Sequence, residues 1–319
     1  MNLEQLKKER QKVKDAIYLE DCKKSMMDGF RNGYEIGKTT HFYEIDRHFR
    51  WLKQNVIIFG GYGNHGKSTF LYQLLLLRAL NNGEKFAIFS PENMPADFFY
   101  NDLIHTLIGK STILQHSNRM TQLEYEKAME FINEHFFLIY PENDEPSPVY
   151  VNERFKEAIE KHKIDGCITD PFNQLDRDWE KSGRDDRYIS DYLNKEKRFS
   201  QSNNVYKITV VHCHSRVSFD ESGMLKEPNV YSISGGSMWS NKADDILFIH
   251  RPYKHSDPMN TSTTFISDKI KKQRICGFPG SVILDFNILE NRYYVNGNSP
   301  FSKFDNFMND KIEKFQRKI

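Results

Sequence analysis

The residues best suited to chemistry in this chain lie in the segment 61–68, which reads GYGNHGKS. The segment fits the phosphate-binding (Walker A) pattern G-x-x-x-x-G-K-[ST]. Glycines allow backbone N–H groups to approach a phosphate without a Cβ clash, and the amino end of a following helix adds positive potential. Lys67 is suited to contact the β- and γ-phosphates of a nucleotide, and the Ser68 hydroxyl is suited to bind Mg²⁺. An ordinary glycine turn is the alternative interpretation.

The flanking sequence favours the phosphate loop. Residues 56–59 are an apolar run of strand length, and residues 69–80 are a long, mostly apolar stretch without Gly or Pro, as a buried helix requires. Strand, glycine-rich turn and helix in this order are the context expected of a working loop. The predicted nucleotide-binding residues of this segment are Gly61, Gly63, Asn64, His65, Gly66, Lys67, Ser68 and Thr69.

Two carboxylates follow apolar strands further along the chain. Asp170 ends the run 166–170, where it would hold Mg²⁺ through water or Ser68, although it could also simply cap the next turn. Glu92 follows the predicted strand 85–90, where it would face the γ-phosphate and polarise the attacking water. The turn around Glu92 could also be only a rigid loop. Because phosphate loops need partners at the carboxyl ends of neighbouring strands, both carboxylates are candidate site residues.

Two histidines stand at the end of the predicted strand 205–211. His212 and His214 alternate and therefore lie on one face. One of them is predicted to sense a phosphate. The alternatives are a hydrogen-bonded surface histidine or, with Cys213, a metal site, although no further Cys or His stands at ligand spacing.

A basic run, residues 271–274, follows the predicted strand 264–270. Such runs are usually only solvated. The turn at 276–280 could hold this run rigidly, so that the Arg274 guanidinium reaches a phosphate bidentately. If that phosphate belongs to the nucleotide of a neighbouring subunit, Arg274 is an arginine finger.

These residues must be positioned by alternating strands and helices. Strands are predicted at 56–59, 85–90, 136–140, 164–170, 205–211, 245–250, 264–270, 280–287 and 293–294, and helices at 69–80, 96–108, 121–135, 149–162 and 186–202. Because most strands are almost continuously apolar, the pattern predicts an α/β fold with a mostly parallel sheet covered by helices on both faces. The last strands follow one another without helices, which predicts a β-rich edge at the C-terminus.

The N-terminal residues 1–27 are predicted to form a charged helical arm. Its intermittent apolar stripe, with Leu3, Leu6, Val13, Ile17 and Met26, should pack on the body of the chain or on a neighbour. A helix that stays solvated is the alternative. The polar residues 296–319 are predicted to form a C-terminal tail.

Composition excludes several classes of protein. The net charge of +1 gives no global signal for nucleic acid, so any basic binding surface must be local. No apolar run is long enough for a membrane span, and residues 1–8 lack the apolar core of a signal peptide. The four cysteines are far apart, which is typical of free thiols in a reducing cytoplasm.

The ordered set of motifs resembles the helicase domain of DnaB-like replicative helicases, the group that includes Twinkle and the phage primase-helicases. The resemblance covers roughly residues 30–295, which places a RecA-like ATPase domain at 28–295. The segments that carry it are 61–68, 89–95 (FSPENMP), 168–175 (ITDPFNQL), 210–216 (VVHCHSR), 235–244 and 272–274 (KQR).

The resemblance implies a role for each matching residue. Lys67 and Ser68 hold phosphate and Mg²⁺, Glu92 is the catalytic carboxylate, and Asp170 is the acid of the second nucleotide-binding motif. His214 matches the family's γ-phosphate sensor. Arg274 matches the finger presented to the next subunit, with Lys272 beside it. Asn241 departs from the family pattern, which often has Gln there.

The resemblance further implies ATP and Mg²⁺ as cofactors, a ring that is usually hexameric, and single-stranded DNA in its channel. The DNA-contacting loops would be residues 177–187 and 216–236. The cations available in these loops are Lys181, Arg184, Arg187, Arg216 and Lys226. No primase domain precedes the helicase part, so a separate primase or loader is an expected partner. The arm resembles only the family's linker helix.

The predicted function is an ATP-dependent DNA helicase, an ATP hydrolase of a phage or mobile-element replication system in the bacterial cytoplasm. Two alternatives remain open. One is a RecA-type recombination or regulatory ATPase that forms filaments or acts through protein partners. The other is a non-catalytic accessory module, against which the intact set of Lys67, Ser68, Glu92 and Asp170 argues.

Overall fold

A computed structural model describes residues 13–34, 36–141, 146–176, 185–214, 219–221, 223–302 and 304–305. Several predictions concern residues outside these ranges: Leu3, Leu6, Lys181, Arg184, Arg216 and the end of the tail, residues 306–319. The chain divides into two compact units, Met1–Ile36 and Gly37–Ile319.

The described part of the first unit contains one helix, α1 (Leu19–Asn32). At its start the backbone N–H of Tyr18 donates to Asp21 Oδ2 at 2.9 Å. The helix ends at Gly33, whose φ of 82° is incompatible with a right-handed helix. None of its residues is buried. The helix continues past residue 27, the predicted end of the arm, through Gly29 to Asn32.

The second unit is built on a sheet that has nine strands in the part of the chain described. These strands are β1 (Val56–Gly61), β2 (Phe86–Phe89), β3 (Phe136–Ile139), β4 (Gly166–Thr169), β5 (Tyr206–His212), β6 (Asp245–His250), β7 (Ser262–Ile270), β8 (Gly280–Asn287) and β9 (Arg292–Tyr294). They lie in the order β3-β2-β4-β5-β1-β6-β7-β8-β9. The six strands from β3 to β6 are parallel, and β7, β8 and β9 continue the sheet antiparallel. This confirms the predicted mostly parallel sheet with a β-rich C-terminal edge.

Helices cover both faces of this sheet. They are α2 (Tyr43–Asp46), α3 (Lys67–Asn82), α4 (Ala96–Ile108), α5 (Gln122–His135), α6 (Pro148–His162), α7 (Asp185–Asn203), α8 (Gly236–Lys242) and α9 (Gln273–Cys276). Two short 3₁₀ turns, Phe172–Gln174 and Val230–Ser232, follow β4 and β5. The short helices α2, α8 and α9 were not predicted, and α9 interrupts the basic run between β7 and β8.

The core consists of two apolar clusters, one on each face of the sheet. In β1, Ile57 and Phe59 belong to the cluster under α3, α4 and α5, whereas Val56 and Ile58 belong to the cluster under α6, α7 and α8. This division follows from the alternation of side chains along a strand. Since β1 is covered on both faces, all six of its residues are buried.

The topology places the chemistry at one edge of the sheet. From β1 the chain crosses over to β2, two strands beyond β5, and returns through β4 and β5 to the side of β1. Ligands of such sheets bind outside the carboxyl ends of the strands, at the point where the strand order reverses. The carboxyl ends of β1, β4 and β5 meet at that point.

Candidate active site

The phosphate loop joins the carboxyl end of β1 to the first residue of α3, Lys67. Gly66, immediately before α3, has a φ of 84°, and a Cβ at this position would collide with the hydroxyl of Tyr293 on β9. Asn64 also has a positive φ, 60°. The last glycine of the motif is therefore required both by the backbone conformation and by the close approach of β9.

A cavity of about 420 Å³ lies over this loop. Its walls are formed by Asn64, Gly66, Lys67, Ser68, Thr69, Glu92, Asn93, Asp170, His212, Arg251, Thr263, Phe286 and Tyr293. The fold thus brings together four residues that the sequence assigned to nucleotide chemistry, namely Lys67, Ser68, Glu92 and Asp170. They come from three separate segments of the chain.

Lys67 is a buried cation that points across the loop. Its Nζ donates to the carbonyl oxygen of Tyr62 at 2.9 Å and lies 3.3 Å from Nδ1 of His212. Burial lowers the pKa of Lys67, and the negative charge of Asp170 opposes that shift. Burial also lowers the pKa of His212, and the charge of Lys67 acts in the same direction. The neutral form of the His212 imidazole is therefore favoured beside the Lys67 ammonium group.

Asp170 is a buried carboxylate at the end of β4, 4% exposed. Burial raises its pKa, while hydrogen bonds from the hydroxyls of Tyr72 and Ser68 and the charge of Lys67 lower it. The distance from the Tyr72 hydroxyl to Asp170 Oδ2 is 2.6 Å.

The oxygen atoms of Ser68 and Asp170 match the ligands that Mg²⁺ prefers. They adjoin each other at the wall of the cavity. Mg²⁺ is usually held by one or two protein oxygens together with water and substrate phosphates. The residues present therefore fit a magnesium–nucleotide complex.

Glu92 lies on the loop between β2 and α4 and is exposed at the cavity wall. The side-chain amide of Gln174 donates to Glu92 Oε1 at 2.9 Å. Gln174 belongs to the 3₁₀ turn that follows Asp170. The segment that begins with Asp170 therefore also holds Glu92, through Gln174 four residues later.

His65 serves the fold of the loop. It is 1% exposed, stacks on His250 with ring centroids 5.8 Å apart, and accepts the backbone N–H of Arg251 on Nδ1 at 2.9 Å. Burial lowers its pKa to about 3, and the neighbouring cations contribute. Gly61 and Gly63 likewise shape the loop from outside the cavity wall, where the Gly63 carbonyl accepts from Lys254 Nζ at 2.8 Å.

The two histidines at the end of β5 are placed differently. His212 lines the cavity, whereas His214 is exposed, lies outside the cavity wall and donates its backbone N–H to the Ser232 carbonyl at 2.8 Å. The predicted site residue His214 is thus not brought to the loop in this structure. Its neighbour His212 holds that position because β5 ends there.

Arg251 is a cavity residue that sequence reasoning missed. It follows β6, the strand beside β1, and its guanidinium donates to the carbonyls of Pro258 and Asn260 at 3.3 and 3.0 Å. The signal that could have identified Arg251 was its position in the sequence. The strand 245–250 was predicted correctly, and a polar residue just past a strand parallel to β1 lies beside the phosphate loop.

Arg274 and Lys272 lie at the opposite edge of the sheet. β7 begins at the cavity with Thr263 and runs antiparallel to β6, so that Ile270 pairs with Asp245 at the amino end of β6. From Thr263 to Ile270 a rise of about 3.3 Å per residue gives roughly 20 Å. Both side chains are exposed, and neither forms a hydrogen bond or ion pair with the residues that the structure describes. Arg274 therefore lies far from the phosphate loop of its own chain.

Two of the predicted DNA-contacting cations lie in described segments. Arg187 is exposed in the first turn of α7, and Lys226 is exposed in the segment between β5 and α8. That segment is anchored by Leu225, whose N–H donates to Pro252 O at 3.2 Å and whose carbonyl lies 3.0 Å from His250 Nε2. Asn241, at the departure from the family pattern, is exposed on α8.

Comparisons with known proteins agree on one family. The model of the DnaB-like helicase C-terminal domain matches residues 37–294. The chain is 30% identical over 225 residues to the Twinkle homolog protein, chloroplastic/mitochondrial, of Arabidopsis thaliana. That match covers 69% of this chain but only 31% of the relative, so the chain spans about a third of that protein's length.

Solved structures of low sequence identity share the fold. One of them, a solved ATPase domain, superposes with a TM-score of 0.72 at 16% identity, covering 88% of this chain and 99% of that one. A DnaB-like replicative helicase, solved in a study of its interactions with primase, superposes with a TM-score of 0.69 at 15% identity. That superposition covers 87% of this chain and 68% of the helicase chain.

Among the residues that the structure describes, every helix is too short or too polar to traverse a lipid bilayer.

Proposed function

Because this chain belongs to the DnaB-like helicase C-terminal domain family, we propose that it is an ATP-dependent DNA helicase. The family is one of ATP-hydrolysing helicases. In the proposed activity, the chain hydrolyses ATP at subunit interfaces of a ring, translocates on single-stranded DNA and unwinds duplex during replication. The observation that supports this most is the separation of chemical groups within one subunit. Lys67, Ser68, Glu92 and Asp170 converge on one cavity, while Arg274 stands at the far edge of the sheet.

The cavity residues account for hydrolysis in the following way. Lys67 supplies positive charge to the β- and γ-phosphates. Ser68 and Asp170 would hold a Mg²⁺ ion, which would supply neutralising charge to the phosphates. Glu92 accepts a proton from the attacking water or orients it, and Gln174 keeps the carboxylate in place. Phosphoryl transfer requires little beyond such positioning and charge stabilisation. The end of β5 supplies the proposed sensor of the γ-phosphate. His212 lies next to Lys67 at the cavity, and His214 is the residue that resembles the family sensor.

Arg274 completes the site of a neighbouring subunit in this proposal, with Lys272 beside it. The support is geometric, because an exposed guanidinium roughly 20 Å along β7 from the cavity cannot reach its own loop. Arginine fingers stabilise the charge of the transferring phosphoryl group. The proposed assembly is a homo-oligomeric ring, which in this family is usually hexameric.

Single-stranded DNA is the proposed partner of the segments that follow β4 and β5. Arg187 and Lys226 are the exposed cations in the described parts of these segments. Contacts from such cations to phosphates give affinity without sequence preference. We further propose that a separate primase or loader is a partner of this chain. The proposed location is the bacterial cytoplasm, during replication of a phage or mobile element.

The proposal is tested by ATPase measurements with and without single-stranded DNA, followed by unwinding of a forked duplex. DNA should stimulate hydrolysis, and the duplex should be opened only when ATP is hydrolysed. ATP hydrolysis that is indifferent to DNA would refute the helicase function. Electron microscopy with a non-hydrolysable ATP analogue separates closed rings from the filaments of the alternative, a RecA-type recombination or regulatory ATPase. Negligible turnover with tight binding to a partner helicase would favour an accessory module.

A further inference from the structure

Tyr72 connects two parts of the cavity that come from different segments of the chain. It stands on α3 four residues after Ser68, and residues at this spacing share one face of a helix. Its side chain is 8% exposed, and its ring packs edge-on against Phe99 at 5.7 Å. A phenylalanine would satisfy that packing. The hydroxyl therefore needs a separate explanation.

The Tyr72 hydroxyl both donates and accepts a hydrogen bond. It donates to Oδ2 of Asp170 at 2.6 Å and accepts from Nδ2 of Asn93 at 3.2 Å. The same amide of Asn93 also donates to Oγ of Ser90 at 2.8 Å. Asn93 lines the cavity and directly follows Glu92. One hydroxyl thus ties the carboxylate at the end of β4 to the loop that follows β2.

We infer that Tyr72 is a positioning residue, which fixes the orientation of Asp170 for the metal and couples it to the loop that carries Glu92. The inference rests on the proposed ATPase function of this cavity and assigns a residue to it that the motifs do not contain. With Oδ2 engaged by Tyr72 and Ser68 bonded to the same carboxylate, Asp170 is held from two sides. Groups that orient metal ligands in this way affect metal affinity or activity about 10- to 100-fold.

The test compares wild type with Tyr72→Phe, which removes the hydroxyl and keeps the ring. The affinity for a fluorescent ADP analogue is measured by titration in excess Mg²⁺ and again in EDTA. In wild type, Mg²⁺ should strengthen binding. In Tyr72→Phe this strengthening should fall about tenfold, while the affinity in EDTA stays the same, and the Mg²⁺ concentration for half-maximal ATPase should rise to a similar extent.

Tyr206→Phe is the matched control. Tyr206 is 1% exposed and donates its hydroxyl to Glu84 Oε1 at 3.1 Å, at the amino end of β5 and away from the cavity. This variant also loses one buried hydroxyl, so a general loss of stability should affect both proteins. The Mg²⁺ dependence of nucleotide binding should change only in Tyr72→Phe.

Asn93→Ala tests the second link. It leaves the bond between Tyr72 and Asp170 in place but removes the bond between Tyr72 and the loop of Glu92. We therefore expect kcat to fall severalfold, while the strengthening of nucleotide binding by Mg²⁺ stays close to wild type. Wild-type Mg²⁺ dependence in Tyr72→Phe would overturn the inference and leave the ATPase proposal intact. A wild-type protein that binds nucleotide equally well in Mg²⁺ and EDTA would also overturn the inference, and one that binds no nucleotide and hydrolyses no ATP would overturn both proposals.

Discussion

At the scale of single residues, His65 shows how one motif position can serve structure. The side chain lies in the phosphate loop yet faces away from the cavity, stacked on His250 and accepting the N–H of Arg251. Because Nδ1 is the acceptor, the proton of the neutral ring belongs on Nε2. Burial among Lys67, Arg251 and Lys254 lowers the pKa of His65 to about 3, so the ring stays neutral at physiological pH.

His65 should make the protein sensitive to mild acid. In the unfolded chain a histidine binds a proton near pH 6.5, whereas in the folded chain His65 does so only near pH 3. The contribution of neutral His65 to stability is therefore complete above pH 6.5 and is lost progressively as the pH falls toward 3. Between pH 7.5 and 5.5 wild type should lose about 1 kcal/mol more of its free energy of unfolding than His65→Asn. Urea unfolding at both pH values measures this, and equal losses in the two proteins would contradict it.

The histidines at the end of β5 should separate binding from catalysis. His212 contacts Lys67, so His212→Ala should weaken nucleotide binding by roughly three- to tenfold, as expected for one lost polar contact. His214 lies outside the cavity wall, so His214→Ala should leave binding unchanged and, as a variant of the proposed sensor, should lower kcat. Equilibrium nucleotide titration and steady-state kinetics on both variants decide between them. Weakened binding in His214→Ala would reverse the assignment.

Spacing in the sequence was enough to find the residues of contiguous motifs. The glycine loop with Lys67 and Ser68, and the strand-end carboxylates, have local signatures that do not depend on the rest of the chain. Arg251 and Tyr72 have none. Arg251 acquires its place only because β6 lies beside β1, and Tyr72 reads as one more apolar residue in a buried helix.

At the scale of elements, the start of α3 packs closely against β9 at Gly66. Gly66→Ala should be strongly destabilising, because an alanine is strained at a φ of 84° and its Cβ would collide with the Tyr293 hydroxyl. We expect a loss of about 1–3 kcal/mol and of nucleotide binding. Adding Tyr293→Phe removes the colliding atom and should recover part of the loss, while the cost of the backbone conformation remains. Thermal unfolding of the single and double variants measures the difference, and no recovery would place the whole cost in the backbone.

The helix α1 of the first unit is expected to contribute to contacts between copies of the chain. None of the residues of α1 is buried, although Leu19 and Phe30 are large and apolar. Removal of residues 1–36 should leave the melting temperature of the second unit within a few degrees and should weaken its self-association. Analytical ultracentrifugation of both proteins is the measurement. An unchanged oligomer size after truncation would show that α1 has no part in assembly.

Long elements were predicted well and short ones poorly. The helices α4, α5 and α6 and the strand β6 have apolar patterns long enough to be recognised, and their ends agree with prediction within a residue or two. The helices α8 and α9 are too short for a periodic pattern. They form where the chain packs, as in α8, where Trp239 is buried against Phe172. Tertiary contacts, which the sequence does not display, determine such elements.

At the scale of the whole molecule, the distance between Arg274 and its own phosphate loop predicts that two inactive proteins will complement each other. Lys67→Ala removes the loop cation and Arg274→Ala removes the finger, so each variant alone should be inactive. Mixed rings contain interfaces where an intact Lys67 faces an intact Arg274. At equal amounts and random mixing, roughly a quarter of interfaces would be complete.

Subunit exchange followed by ATPase assay is the measurement for this prediction. Arg274→Ala alone should still bind nucleotide, because Arg274 lies outside the cavity of its own subunit. Activity in Arg274→Ala on its own would mean that the finger lies elsewhere. The absence of any recovery in the mixture, with exchange verified by labelled subunits, would contradict the assignment of Arg274 to the site of the neighbouring subunit.

The strand β7 has a mechanical consequence for such an assembly. Thr263 at one end of β7 touches the cavity, and the other end leads into α9 with Arg274. The strand pairs with β6 from Thr264 to Ile270 and with β8 from Ser262 to Ser267. One strand therefore connects the cavity of a subunit to its Arg274. In the proposed ring, a shift of β7 at the cavity would move Arg274 relative to the next subunit, so that the occupancy of one nucleotide would affect the reach of the finger toward the next. Because every copy of the chain has the same polarity, that signal would travel around the ring in one rotational sense only.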